Sequence, residues 1–298
     1  MTTAPTRRQL LLGTLGILAA GCISDRSEPA ASPVDGAHEL AALEAQVGGR
    51  LGVFALDTRS GRQLAFRADE RFAMCSTFKW VLAAAVLAQV DRGQLRLDER
   101  VPYGPTDLLE YAPVTRKHVT EGAMTVEALA EAAVVLSDNT AANLLLAKTE
   151  GPAGLTQFIR ANGDTVTRLD RKEPALNDVA PGDPRDTTSP RAMVALLRRV
   201  LCEGDTLSVA SRDRLYGWMR ACETGKRRIR AGLPTDWQIG DKTGSGPQNA
   251  LNDVAIAVPR DGAPILIAVY TFGSTSQPGA IERIHADVAR KVARMFRP

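Results

Sequence analysis

Apolar positions recur along the chain at two periods, and the two periods divide it. Leu40, Leu43 and Val47 fall three and four apart, which predicts a first helix over 37–47. Arg50–Asp57 and Arg62–Phe66 then read as strands joined by Thr58-Arg59-Ser60-Gly61, a hairpin signal. Residues 76–92 are apolar on nearly every face, from Trp80 through Leu87, so the helix they predict should be buried all round. Helical patterns recur at 125–136, 139–148, 153–161, 189–202 and 208–221. Strands return at Trp237–Thr243, Asp253–Pro259 and Pro264–Phe272. Ile281, Ile284, Val288, Val292 and Met295 mark a closing amphipathic helix. Strands at both ends with helices between predict an α/β plus all-α architecture of two subdomains. In it a five-stranded antiparallel sheet is flanked by the terminal helices, and a helical region is inserted. The α/β part takes about 37–67 and 222–298, and the helical part about 68–221. There is no internal repeat. The stretch from Asp164 to Thr188 is rich in Pro, Asp and Gly, and loops of that length in a domain are usually functional.

The first residues do not belong to this pattern. Arg7 and Arg8 precede an apolar run that ends at Ala19-Ala20-Gly21-Cys22. The run is too short to span a bilayer stably and reads as a secretory signal over 1–21. The paired arginines suggest the twin-arginine route, and Ala-Ala-Gly-Cys resembles a bacterial lipobox with Cys22 as the acylated residue. Residues 22–36 are small, polar and Pro-bearing, and read as a flexible tether. The expectation is a domain over 37–298 exported beyond the cytoplasmic membrane, to the periplasm or cell envelope, and touching the membrane only through Cys22.

Composition narrows the chemistry. The 298 residues carry 37 Lys+Arg against 34 Asp+Glu, with the signs interspersed, so no basic stripe for nucleic acid is present. His38, His118 and His285 are scattered, and no HxH, HExxH or CxxC spacing occurs, so neither a metal nor another cofactor is expected. Beyond Cys22, the cysteines Cys75, Cys202 and Cys222 can form at most one disulfide.

Four short motifs could carry a reaction without histidine. Ser76 and Lys79 open the buried helix three residues apart, on one face. A lysine in apolar surroundings has its neutral form favoured and could take the serine proton. The plain alternative is that Ser76 caps the helix and Lys79 reaches out to water. Ser137-Asp138-Asn139 lies between two helical patterns, where Ser137 could relay a proton, Asn139 could bind an amide, or the three could simply cap a helix. Lys242-Thr243-Gly244-Ser245 closes a strand, offering a cation and a hydroxyl to a carboxylate beside a glycine that permits close approach. Glu173 and Asn177, in the long loop, could hold a water between them as general base. Arg171 and Asp186 are placed to pin that loop by an ion pair.

In this order the motifs resemble those of the class A serine β-lactamases. The resemblance runs from about residue 37 to the C-terminus and takes in Tyr111–His118 and Arg185–Thr188. It implies the serine β-lactamase/transpeptidase fold, a small-molecule β-lactam substrate and a monomer. It further implies that Ser76 attacks the lactam carbonyl, with the backbone N–H groups of Ser76 and Ser245 as oxyanion hole. Lys79, or Glu173 through a water, would take the serine proton, and Ser137 would pass one to the lactam nitrogen. Glu173 with Asn177 would activate the water that hydrolyses the ester. Asn139 would contact the substrate side-chain amide, Lys242, Thr243, Gly244 and Ser245 would form the carboxylate subsite, and Tyr111 would stand at the cleft mouth.

Two departures from the usual pattern stand out. No arginine follows the KTG motif closely, and Arg228 matches the upstream position that relatives without it use; the alternative is one charge in a solvated basic run. Cys75 lacks the cysteine partner that some relatives have after KTG, since this chain has Gly246 there, so Cys75 is expected to stay a buried thiol. The rival readings are a penicillin-binding DD-peptidase and a β-lactam sensor domain, neither of which needs the Glu173/Asn177 pair. A Ser-His-Asp esterase lacks its G-x-S-x-G elbow here.

Overall fold

In the computed structural model the described residues are 36–297. The proposed leader, Cys22 of the proposed lipobox and nearly all of the proposed tether lie outside them. Helix α1 (Ala37–Val47) leads into the hairpin β1 (Arg50–Asp57) and β2 (Gln63–Phe66), and then a short strand β3 (Phe72–Ala73). Helix α2 (Phe78–Asp91), the strand pair β4 (Arg100–Pro102) and β5 (Ala123–Thr125), and helices α3 (Val126–Val135), α4 (Asn139–Lys148) and α5 (Gly151–Ala161) follow. After β6 (Thr187–Thr188) come α6 (Pro190–Leu201), α7 (Val209–Arg220), the strands β7 (Gln238–Gly246), β8 (Ala250–Val258) and β9 (Ile265–Phe272), and α8 (Pro278–Met295).

The five long strands form one antiparallel sheet in the order β2-β1-β9-β8-β7, so the two ends of the chain build it together. Alternation along each strand sorts side chains into two layers. Leu51, Val53, Ala255, Ile267 and Val269 face α1 and α8. Phe54, Leu56, Val254, Leu266, Ala268 and Tyr270 face the helical region. Burying one such side chain fully is worth about 1.5–3 kcal/mol, and both faces of the sheet gain it. At the centre of the helical layer lies α2, in which every residue from Phe78 to Ala88 is buried, as its unbroken apolar run predicts.

Four details depart from the sequence reading. Ser76 lies in a 3-10 turn, Cys75–Thr77, ahead of α2 and makes no side-chain cap bond. The Lys-Thr-Gly-Ser segment runs inside β7 and does not end it, because Gly244–Gly246 stays paired with Ala250–Asn252 and the reversal falls at 247–249. For the same reason β8 begins three residues earlier than its apolar run suggests. The long polar stretch is not structureless: it contains a 3-10 turn at Ala175–Asn177 and ends in β6, whose Thr187 and Thr188 pair with Ala73 and Phe72. That pairing ties the loop to the segment that delivers Ser76.

Candidate active site

Ser76 is brought to the edge strand β7 by close backbone packing. A Cβ on Gly244 would stand 2.7 Å from the Met74 carbonyl and 3.2 Å from the Ser76 nitrogen, so only glycine fits between strand and turn. Asn252, on β8, donates from Nδ2 to the carbonyls of Ala73 (2.8 Å) and Met74 (3.2 Å) and holds the turn in place. Cys75 takes a positive φ of 46°, and Ser137 one of 60°. Side chains other than glycine adopt that region at a cost of order 1–3 kcal/mol, which surrounding contacts must offset.

Lys79 does not reach solvent; its side chain is fully buried. Its ammonium group lies 3.0 Å from Ser76 Oγ, 2.8 Å from the Ser137 carbonyl, 2.5 Å from Asn139 Oδ1 and 3.0 Å from Glu173 Oε1. Ser137 Oγ is a fifth oxygen within reach, at 3.5 Å, so the three N–H bonds of Lys79 are shared among more acceptors than they can serve singly. Burial draws the lysine pKa down, while the charge of Glu173 and its hydrogen bond oppose the shift. Ser76 Oγ is itself 3.4 Å from Glu173 Oε1. An alcohol held between an amine and a carboxylate can lose its proton to that pair without a histidine.

Glu173 is positioned from three sides. Asn177 Nδ2 donates to its Oε2 at 2.7 Å. Asn143, one turn after Asn139 on α4, accepts from the Glu173 N–H at 3.0 Å and donates to its carbonyl at 2.9 Å. The ion pair expected between Arg171 and Asp186 forms at 2.6 Å, and Asp186 Oδ1 also accepts the backbone N–H groups of Asp170 and Arg171. The loop is thereby pinned at its base and beside its carboxylate.

Of the Ser-Asp-Asn segment it is Asp138, not Ser137, that caps α4, accepting from Ala141 N at 2.9 Å. Its other oxygen accepts from the backbone of Val114 and Thr115, and Asn139 N donates to the Tyr111 carbonyl, so this segment and the Tyr111 loop move as one piece. Ser137 is left to face Lys242, whose Nζ donates to Ser137 Oγ at 3.1 Å. Complete burial, with smaller effects from Lys79 and Arg228, brings Lys242 down to about 8.

Arg228 is not part of a solvated run. It is buried, and donates to the carbonyls of Gly244 (2.8 Å) and Asn252 (2.7 Å) and to Ser245 Oγ (2.7 Å). Ser76, Tyr111, Ser137, Asn139, Glu173, Asn177, Thr224, Arg228, Thr243 and Ser245 thus line a single cleft of about 340 Å³. A cavity of the same size beneath residues 179–183 and one of about 400 Å³ beside His118 hold no such grouping. His118 instead pairs with Glu121 at 2.6 Å. Cys75, Cys202 and Cys222 are all free, and a side chain on Gly246 would meet Cys75 Sγ at 2.7 Å.

Sequence reasoning missed Asn143, Asn252 and Thr224. Asn143 had a signal, one helical turn from Asn139 on the same face; the other two depend on contacts far apart in the chain.

Comparison with known proteins fits this geometry. A profile of the "Beta-lactamase enzyme family" matches residues 36–296. The chain is 50% identical to "Beta-lactamase L2" of Stenotrophomonas maltophilia, over 86% of this chain and 82% of that protein. It is 43% identical to "Beta-lactamase FAR-1" of Nocardia farcinica (strain IFM 10152), over 98% of this chain and 96% of the relative. Among solved structures, an "Ancestral (GNCA) Beta-lactamase class A" superposes with a TM-score of 0.86 at 56% identity, covering 88% of this chain and all of that one.

Replacing Asn143 by Ala leaves the N–H and carbonyl of Glu173 without their partners, at a cost of about 1–3 kcal/mol of local stability. Hydrogen exchange should then speed up at amides 170–178 while α4 keeps its protection. Unchanged exchange in the loop would contradict the clamp.

Proposed function

The chain belongs to the class A serine β-lactamases, which hydrolyse β-lactams and give resistance to them, and on that premise we propose how its residues divide the reaction. Ser76 Oγ attacks the lactam carbonyl as its proton passes to the Lys79/Glu173 pair. The observation that carries this reading is the mutual approach of Ser76 Oγ, Lys79 Nζ and Glu173 Oε1, at 3.0–3.4 Å in a buried setting. The negative charge developing on the carbonyl oxygen is taken up by the N–H groups of Ser76 and Ser245, worth roughly 3–4 kcal/mol per donor. Ser137, polarised by Lys242, returns a proton to the lactam nitrogen as the C–N bond breaks. The product of this half is an ester on Ser76.

Glu173, oriented by Asn177 and Asn143, then draws a proton from a water that attacks the ester. This second half separates the enzyme from DD-peptidases and sensors that stay acylated. Lys242, Thr243 and Ser245 bind the substrate carboxylate, and Arg228, held against Gly244 and Ser245, adds a positive charge behind it. Asn139 takes the side-chain amide and Tyr111 covers the mouth. Arg7 and Arg8 direct twin-arginine export, and acylated Cys22 tethers the enzyme outside the cytoplasmic membrane; the apolar run and Ala-Ala-Gly-Cys support this. No helix among the described residues is long and apolar enough to cross a bilayer.

Purified enzyme should turn over benzylpenicillin many times, unaffected by EDTA, while Glu173→Ala accumulates an adduct on Ser76 visible by mass spectrometry. Normal turnover by that variant would remove Glu173 from deacylation. Since Lys242 is charged below about pH 8 and neutral above it, kcat/KM for a carboxylate-bearing substrate should fall as pH rises through that value. A profile that stays level well past it would contradict the role given to Lys242.

A further inference from the structure

The two N–H groups given to the lactam oxygen come from separate elements, Ser76 from the 3-10 turn and Ser245 from β7, and no covalent link sets the distance between them. Such donors act only when both lie about 2.7–3.1 Å from the oxygen that takes up charge. Whatever holds turn and strand at that spacing therefore belongs to the site.

Gly244 limits how near the two can come, since its backbone already lies against Met74, but a contact of this kind resists approach without preventing separation. Among the described residues no backbone hydrogen bond joins Ala73–Thr77 to β7 or β8. The attractive links from this segment to the sheet are made by side chains. Beyond Ser76, Thr77 Oγ1 lies 3.1 Å from Tyr270 Oη on β9. Ahead of Ser76, Asn252 Nδ2 donates to the carbonyls of both Ala73 and Met74, and it is this bond that ties the turn to the β7–β8 pair.

Asn252 is itself fixed. It is fully buried and stands opposite Gly244 in the β7–β8 register. Its own carbonyl and that of Gly244 both accept from Arg228 Nη1, at 2.7 and 2.8 Å, so the strand pair is strapped at the register from which Asn252 reaches the turn. The carbonyls it holds belong to the peptide groups leading into Cys75, whose φ of 46° must be sustained by the contacts around it. Ser245 follows Gly244 by one residue and Ser76 follows Met74 by two. The Asn252 amide thus spans the gap that the two donors have to bridge.

We propose that Asn252 is a positioning residue for the oxyanion hole: its side-chain amide holds the Ser76 turn against β7 at the spacing that lets the N–H groups of Ser76 and Ser245 reach one oxygen. This rests on the reading of those two N–H groups as the oxyanion hole.

The test uses the ester that Glu173→Ala enzyme keeps on Ser76, because hydrogen bonds to an ester carbonyl lower its infrared stretching frequency. Acylated with benzylpenicillin, Glu173→Ala enzyme should show a carbonyl band below that of the same adduct unfolded in denaturant. Adding Asn252→Ala should move the band up toward the unfolded value. It should also slow single-turnover acylation about tenfold, short of the roughly hundredfold or more that losing a donor outright costs, and leave the dissociation constant of the penicillin within about twofold. Asn252→Asp keeps the shape and, buried against two carbonyls, holds its proton as one remaining donor. It should move both readouts part of the way, and it carries the test if the alanine variant does not fold. A band that stays in place in the variants, or a loss confined to the dissociation constant, would overturn the proposal. A band in the parent adduct no lower than in the unfolded one would overturn the oxyanion hole itself, and the proposal with it.

Discussion

The site depends on a lysine and a glutamate buried against each other. Lys79 and Glu173 meet at 3.0 Å with both side chains inaccessible to solvent. Two charges out of water are costly, and removing one partner of such a pair typically destabilises a protein by about 3–5 kcal/mol. The remaining contacts follow from that constraint. The Ser137 carbonyl and Asn139 Oδ1 take up other hydrogens of Lys79, and Asn177 takes the second oxygen of Glu173. The Ser-Asp-Asn segment, the long loop and α2 are therefore fixed relative to one another by the needs of one ion pair. Ser76 lies in its field.

A second, cationic layer stands behind β7. Lys242 and Arg228 are both buried; each donates to backbone carbonyl oxygen and to a serine hydroxyl of the cleft, and Arg228 has Glu282 3.8 Å away as well. The two layers meet at Ser137, which touches Lys79 through its carbonyl and Lys242 through its hydroxyl. The sheet makes this possible because β7 is an edge strand, free to present Lys242 to Ser245 along the cleft.

Much of this was legible in the sequence. The helices announced themselves because apolar residues at three and four spacing have one physical use, and α2 did so because an unbroken apolar run has no face to give to water; whether Lys79 stayed inside or reached out was open in the sequence. The strand β7 was read short because Gly244 and Gly246 look like breakers, whereas Gly244 is there to let the strand lie against the Ser76 turn. The 3-10 turn at Ser76 was hidden by the helical run that follows it. Asn252 and Thr224 were silent for another reason: each acts through a partner distant in the chain, and a single polar residue in an element carries no sign of what it will touch. Cys22 and the proposed export signal lie outside the described residues.

The central claim is that Lys79 and Glu173 act as one unit in drawing the proton from Ser76. A double-mutant cycle tests it most directly, with the rate of Ser76 acylation measured by rapid quench and mass spectrometry in the wild type, Lys79→Ala, Glu173→Ala and the double variant. Residues that work as a unit are strongly non-additive, so the double variant should acylate about as slowly as the slower single one. Losses that multiply would mean two independent contributions, and would contradict the account.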